Sequence, residues 1–585
     1  MQGIFKATAS AVAAIGAALG SAGAAVVILG DPQSVFPVDI ETNPNVVGQN
    51  IVVGRLIFVN GILVNSASGT LRVDATGGPT DVSTDQSLRI GAQQATNGQV
   101  DIVGDGSAFS ATVTAGDALV GGRAFGTLRS GSGVGALNIV NGGSLTLQGN
   151  DGAGNQVANG NLAVGGDQAG GNGMNTNQTG SFDGVVMIDG AQSRLAAGSV
   201  ILGDPANGYS ANLTATNGAT LDIFDLRTVP AGFQTELSQF SVMSGSTASL
   251  DGAGTLLGVG GTLGVGGFTG APSGPFAQSS GRFDISNGAA AVIGNSVSIG
   301  AGGQGEVSID GAGSQLFVSG SAVGPLTGGG DIRIGAQSFD ATGSIFPGAG
   351  RLTVSNGGYA AAARDIYVGG SYPYFNLGDT PASGVLDINT GGVVDAQRII
   401  VGANGALRGS GGLLNANVVM NGGTLAPGNS PGDMTINGDL SFTDPLSILS
   451  IEVAGANAGQ YDVLTILGDL IAPQGFTLEL SFLNGFTPNS GGSFNFLSVA
   501  GASSLDFSLV NLIVNGISGG VKLAFDNNSG MFSFTTGMSP SEVPLPPAFA
   551  LMVFGLGAIG AAARRRKTAM RQADFPSVAQ SSLCQ

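Results

Sequence analysis

Apolar and polar residues alternate with a period of two over most of the chain, and the alternation recurs in two pieces. One piece is an alternating run that ends in a turn: GQVDIVGDG (98–106), GALNIVNGG (135–143), GVVMIDGAQ (184–192), GRFDISNGA (281–289), GEVSIDGAG (305–313), GRLTVSNGG (350–358) and GVLDINTGG (384–392). The other is a short apolar run closing on glycine: LRIGA (88–92), LAVGG (162–166), SVILG (199–203), VSIG (297–300), IRIGA (332–336), IYVGG (366–370) and IIVG (399–402). Gly300, Gly335, Gly369 and Gly402 follow one another at intervals of 35, 34 and 33 residues. A period of two places successive side chains on opposite faces of a strand, so each piece predicts a half-buried strand. Asn-Gly and Asp-Gly pairs supply the positive φ that tight turns need.

Two architectures accommodate such strands. Antiparallel hairpins must close into a barrel or sandwich, and a barrel of one size does not accept an open-ended repeat. A parallel β-solenoid does, because each unit stacks on its neighbour and buries a continuous Val/Ile/Leu/Ala core. The pattern therefore predicts an all-β chain, a parallel β-solenoid (β-helix) over 69–433. At about 4.8 Å per rung, roughly 12–18 rungs make a rod of about 60–90 Å. The stretches GDQAGGNGMNTNQTG (166–180) and TLLGVGGTLGVGGFTGAPSGPF (255–276) are expected to break the register and loop out. Residues 25–68, with the strand-like IVVGRLIFV (51–59), are expected to cap the N-terminal end. The segment NGGTLAPGNSPGDMTINGDLSF (421–442) is expected to end the repeats. Longer apolar strands in 434–540, such as LSIEVAG and FTLELSFL, then predict a C-terminal β-rich cap over open strand edges.

Composition supports this reading and narrows the chemistry. Gly makes up 104 of 585 residues, charged residues are 10%, and Trp and His are absent. Hydrophobic residues at 42% with so few charges oppose disorder. The formal net charge is −18. Setting aside Lys6 and the tail residues Arg564, Arg565, Arg566, Lys567, Arg571 and Asp574 takes six from the 20 cations and one from the 38 acids. That leaves 14 positive and 37 negative groups, a net −23. Nucleic-acid binding, which needs basic patches for phosphate, is therefore not expected. Cys584 is the single cysteine and lies in the tail, so disulfides do not stabilise the chain ahead of it.

Catalytic chemistry has few residues to work with. Without His, the commonest general base and His-based zinc sites are excluded. Two carboxylates suffice for glycoside hydrolysis, and the candidates are Asp101, Asp189, Asp284, Asp310 and Asp387. Most recur at equivalent repeat positions, which points to turns and solvated faces. No catalytic residue, metal site or cofactor is assigned. GGQGEVSID (302–310) approaches one calcium-binding nonapeptide, but Glu306 stands at the usual Asp position and no tandem copy follows. Tyr359, Tyr367, Tyr372, Tyr374 and Phe375 crowd into a short span of a chain with six Tyr. They are candidate surface-contact aromatics, or rings of the loop SYPYFNLGDTP packed back on the solenoid.

Both ends carry signals for export. Lys6, the Ala-rich run from Ala7 to Leu19 and Ala22-Gly23-Ala24 read as a signal peptide over 1–24. Near the other end, Val543, Pro544, Leu545 and Pro546 precede an uncharged run from Pro547 to Ala563, then Arg564, Arg565, Arg566 and Lys567. The run predicts a single transmembrane helix, somewhat short of the ~20 residues that a span prefers. The cationic block predicts a cytoplasmic stop, because moving Lys/Arg across a bilayer is unfavourable. Residues 568–585 would be a cytoplasmic tail.

This order of parts, with Gly555, Gly557 and Gly560 in the apolar run, resembles the PEP-CTERM sorting signal of Gram-negative bacteria in its VPLPA-type variant. Pro547 stands where that variant usually has Ala, and Thr568 to Gln585 extend beyond the usual end. The repeats resemble the β-helix units of autotransporter passenger domains. The resemblance implies export through the Sec machinery, a transient hold in the inner membrane, and cutting by an exosortase-like transpeptidase over 541–567. It further implies delivery to the cell surface or matrix, with exopolysaccharide as a partner. The expectation is a non-enzymatic structural or adhesin-like β-solenoid. The alternative is a β-helix polysaccharide lyase or glycosidase using surface carboxylates. An autotransporter proper would need many alternating ~10-residue barrel strands at the C-terminus, where this chain has one apolar run. Regular T-x-T ladders of the ice-binding kind are also absent.

Overall fold

The computed structural model describes strands from Ala25–Gly30 onward and most of 69–516, then Val521–Asp526 and Met531–Thr536. Segments 31–44, 122–132, 166–181, 225–237, 268–278, 321–328, 340–344 and 371–381, shorter loops, and residues 1–24 and 537–585 lie outside the description. The signal peptide, the Val543–Pro546 motif, the expected membrane helix and the Arg564–Lys567 block therefore fall outside it. Among the described residues no helix is long and apolar enough to cross a membrane.

The period-two runs stack in parallel, as expected of a solenoid. One sheet of 16 strands runs the length of the molecule, from Ala25–Gly30 and Gly69–Asp74 to Asn511–Asn515. A second sheet of 29 strands carries two further ladders. One ladder includes Thr220–Ile223, Leu256–Val259, Ala290–Ile293 and Gln315–Val318. The other includes Gln239–Val242, Thr262–Val265 and Val297–Ala301. Each rung thus has three faces, here faces one, two and three, and at about 4.8 Å per rung the rod is roughly 70 Å long.

The registers equate the residues that the sequence pattern equates. On face one Gly98, Gly135 and Gly184 are partners, as are Gly281, Gly305, Gly350 and Gly384. The inward positions form unbroken aliphatic stacks. Leu71, Val100, Leu137, Val186 and Leu213 follow one another, then Ala248, Phe283, Val307, Leu352 and Leu386. All are essentially solvent-free. Each large member contributes about 1.5–3 kcal/mol by leaving water. Phe283 follows the small Ala248 and meets Phe240 of face three with ring centroids 6.1 Å apart.

Closing glycines set the corners. Gly335 has φ +72°, and a Cβ there would lie 1.8 Å from the Ser383 carbonyl oxygen of the next rung. The backbones touch where a side chain would stand, so only Gly closes the rung this tightly.

Four expectations change. The two recurring pieces are faces one and three; a third strand per rung, such as Arg194–Ala197 or Tyr359–Ala362, lies between them. Of the stretch expected to loop out at 255–276, the first part instead supplies the regular strands Leu256–Val259 and Thr262–Val265, because Gly260 and Gly261 turn the corner without any insert; 268–276 lies outside the described residues. The solenoid does not end at 433. Asp433–Ile436 pairs in parallel with Val463–Ile466, and Ile448–Val453 with Thr477–Phe482, which in turn pairs with Asn511–Asn515. These strands keep the same inward alternation, so nothing in their pattern stops the stacking. Among the described residues, the antiparallel strands at this end are Ser493–Phe494, Val521–Asp526 and Met531–Thr536. At the N-terminal end IVVGRLIFV divides: Ile51–Val53 joins face three, and Arg55–Val59 forms a hairpin with Ile62–Ala67. Ala25–Gly30 pairs antiparallel with Gly69–Asp74 and covers the first edge of face one.

Candidate functional site: a charged belt around the solenoid

The five carboxylates singled out by sequence do not gather. Asp101, Asp284 and Asp387 occupy one outward column of face one, and the registers put five rungs between the first two and three between the last two. At about 4.8 Å per rung these gaps are roughly 24 and 14 Å, beyond the range that two-carboxylate glycoside chemistry uses. Asp189 and Asp310 sit at turns. Asp310 accepts from the Ser355 hydroxyl at 2.7 Å and the Asn356 amide at 2.6 Å. Asp189 likewise accepts from Thr216 and Asn217, each at 2.6 Å.

Charge concentrates instead around the rungs between 331 and 462, on all three faces. On face three Asp365 is buried and takes a forked contact from Arg398, at 3.0 Å to Nε and 2.6 Å to Nη2. That hydrogen bond is the main reason the Arg398 guanidinium is held above its ordinary pKa. Asp331, also buried, lies 3.4 Å from Arg333 and 3.9 Å from Arg364. Burial raises its pKa, and the neighbouring arginines oppose the rise.

The candidate aromatics are divided by this belt. Tyr359 stands on face two and donates its hydroxyl to Asp395 at 2.6 Å. Burial, then that bond, pushes its pKa up to about 12. Asp395 also accepts from Asn415 at 2.6 Å, and Asn415 accepts from Asn437 at 3.0 Å, a polar line along the outside of the rungs. Tyr367 stands on face three and donates to Asp365 at 3.3 Å. The structure therefore places Tyr359 and Tyr367 on different faces. Tyr372, Tyr374 and Phe375 lie outside the described residues.

On face one Arg351, Asp387 and Arg408 stand on successive rungs and converge. Asp387 is buried; Arg351 Nη2 contacts its Oδ2, and Arg408 donates to Oδ1 at 2.8 Å and to Oδ2 at 3.5 Å. They form one wall of a cleft of about 310 Å³, completed by Asn389, Ala426, Gly428, Ser450, Glu452 and Asp462. Asp462 is buried and takes backbone N–H groups from Gly432 and Glu452, each at 2.8 Å. It thereby fastens Gly432, the last residue of PGNSPG, to the next rung. Burial pushes its pKa up to about 6, against those two hydrogen bonds. Among the described residues no group of three or more His, Cys, Asp or Glu is placed to hold a metal ion.

Sequence reading passed over Arg351, Arg408 and Asp462. A signal existed for one of them: Asp387 and Arg408 occupy the same place after Gly384 and Gly405, and opposite charges at one repeat position face each other across a rung.

No protein-family model matches the chain, and no curated protein matches it. Among solved structures it is similar to the crystal structure of a TibC-catalysed hyper-glycosylated fragment of TibA, residues 55–350. The identity is 15%, the match covers 75% of this chain and 95% of that one, and the TM-score is 0.22.

Proposed function

We propose that this chain is an exported, non-enzymatic structural or adhesin-like solenoid of the bacterial cell surface or extracellular matrix. The observation that carries the reading is how its polar groups are used: the carboxylates bind the next rung or an arginine, and a continuous aliphatic spine supports them. Such a rod displays long continuous faces, which suits scaffolding and adhesion. The ordered tail of Val543–Pro546, apolar run and Arg564–Lys567 supports sorting by an exosortase-type system, with exopolysaccharide as the surrounding partner.

Intact-mass analysis of fractionated native cells tests this. A mature form beginning near Ala25 and ending near Val543–Pro547, found outside the cell, is the expected result. A full-length C-terminus retained in the inner membrane would sink the sorting reading. The second reading, a carboxylate-based glycosidase or lyase, draws on Glu452 and Asp462 lining one cleft. It requires oligosaccharide cleavage that Glu452→Gln abolishes.

A further inference from the structure

We infer that the cleft between Arg351, Arg408 and the Gly428 turn is a subsite for a carboxylate-bearing sugar of a uronate-type polysaccharide, an inference that rests on the surface-matrix reading above. Two guanidinium groups share one carboxylate there. Asp387 is occupied by both arginines, so this wall keeps one positive charge in excess. The arginine side chains remain 44% and 42% exposed, which presents that charge to the cleft rather than burying it.

The unused donors have the right form. A guanidinium offers five N–H groups in a plane. The contacts with Asp387 use Nη2 of Arg351 and Nε and Nη2 of Arg408, while Arg351 Nε points at the Thr353 hydroxyl at 3.4 Å. Nη1 of each arginine takes no part in these contacts. Planar N–H donors suit a carboxylate better than a point charge would.

The remaining lining selects the rest of the ligand. Asn389, Ser450 and Glu452 offer an amide, a hydroxyl and a carboxylate, the groups that bind sugar hydroxyls, and among the described residues no aromatic ring lines the cleft. Glu452 and Asp462 oppose densely charged anions such as polyphosphate or nucleic acid. A ligand rich in hydroxyls with isolated carboxylates satisfies both walls. The site is bounded along face one by the preceding rungs, where Arg282 meets two carboxylates, Asp284 at 2.7 Å and Glu306 at 3.0 Å, and Glu306 is the register partner of Arg351. At Gly428 the wall stays bare, since an added Cβ would lie 2.0 Å from Asp462 Oδ1.

The test is calorimetry on the purified full chain with a galacturonate hexamer, and with a cello-oligosaccharide of equal length as the neutral control. Binding of the uronate alone is expected, weakening with added salt. Arg351→Gln and Arg408→Gln should each weaken it at least tenfold. Asp387→Asn should strengthen it several-fold by releasing both arginines, a change in a direction that misfolding does not produce. No uronate binding, equal binding of the neutral control, or indifference to all three substitutions overturns the inference. Fractionation separates it from the reading beneath: a surface-located protein that ignores uronate loses only the subsite, and a uronate binder retained in the inner membrane loses only the sorting.

Discussion

Asn356 donates its side-chain amide to Asp310 of the preceding rung at 2.6 Å, and the same bond recurs between Asn287 and Asp251 at 2.5 Å and between Asn217 and Asp189 at 2.6 Å. Asp-Gly turns and Asn-Gly turns alternate from rung to rung, and each Asp accepts from the Asn above it. The hydroxyl one residue earlier, on Ser355, Ser286 or Thr216, reaches the same oxygen. Looking the other way, Ser314, Thr255 and Ser193 accept a backbone N–H from Gly288, Gly218 and Gly142, each at 3.0 Å. Each Asp-Gly turn is thus bonded to the Asn-Gly turns on both sides, and the turns bolt these rungs together in one unbroken series.

Asp310→Ala should therefore cost about 1–2 kcal/mol, because two donors lose one acceptor at a partly exposed site. Asn356 carries φ +52°, so Asn356→Ala adds the left-handed penalty to the lost bond. Asn356→Gly loses only the bond and should cost less than Asn356→Ala. Urea midpoints of the three variants order them. Equal midpoints for the Gly and Ala variants would remove the backbone term.

Much of the ladder was legible in advance, and the limits have physical causes. Gly-led alternating runs are long enough to show a period of two, and their register partners are the glycines that the pattern aligned. The middle strand of each rung escaped because RLAA, TLDI, AAVI and YAAA have only four residues each and share no common sequence. The stretch 255–276 looked like a linker because Gly258, Gly260, Gly261 and Gly264 dilute its apolar pattern, yet two strands fit there. PGNSPG reads as a boundary and predicts too early an end for the solenoid, whereas Asp462 holds Gly432 within the stack. As for the site, Asp387 was visible but its partners were not. Arg351 is 36 residues away, and only the fold brings it across a rung.

Corner glycines give a separable test of close approach. Gly335→Ala places a Cβ against the Ser383 carbonyl in addition to its φ of +72°. Gly459 has φ +80° with nothing within 4 Å of an added Cβ. Gly459→Ala should cost about 1–2 kcal/mol, the left-handed term alone. Gly335→Ala should exceed it by several kcal/mol or prevent folding of the neighbouring rungs. Similar midpoints for the two would mean that the corner can relax.

Asp462 makes stability depend on pH in a stated direction. Its folded pKa, about 6, lies above the ordinary 3.8, so the folded chain holds the proton more tightly than the unfolded one. The resulting stabilisation is complete below pH 3.8 and is lost as pH rises towards about 6, an effect on the order of 3 kcal/mol. Asp462→Asn should remove this part of the pH profile. It should also lower stability overall, because one of the N–H groups of Gly432 and Glu452 loses its acceptor. Urea midpoints of both proteins between pH 3.5 and 7 check this, and parallel curves would contradict it.

The core pairing of Ala248 with Phe283 yields the last prediction. Both are fully buried and adjacent in register, and Val307 follows Phe283 on the next rung. Phe283→Ala opens a ring-sized void between two rungs and should cost about 3–5 kcal/mol. Ala248→Phe alone overpacks the same layer and should cost about 1–3 kcal/mol. Exchanging both keeps the total volume and moves the ring one rung down the stack. Because the faces repeat, the displaced ring meets much the same aliphatic surroundings, although it changes its contact with Phe240. The double variant should therefore be more stable than Phe283→Ala, a favourable coupling that a double-mutant cycle reads directly. Strict additivity would mean that each rung packs independently of its neighbour, contrary to a continuous spine.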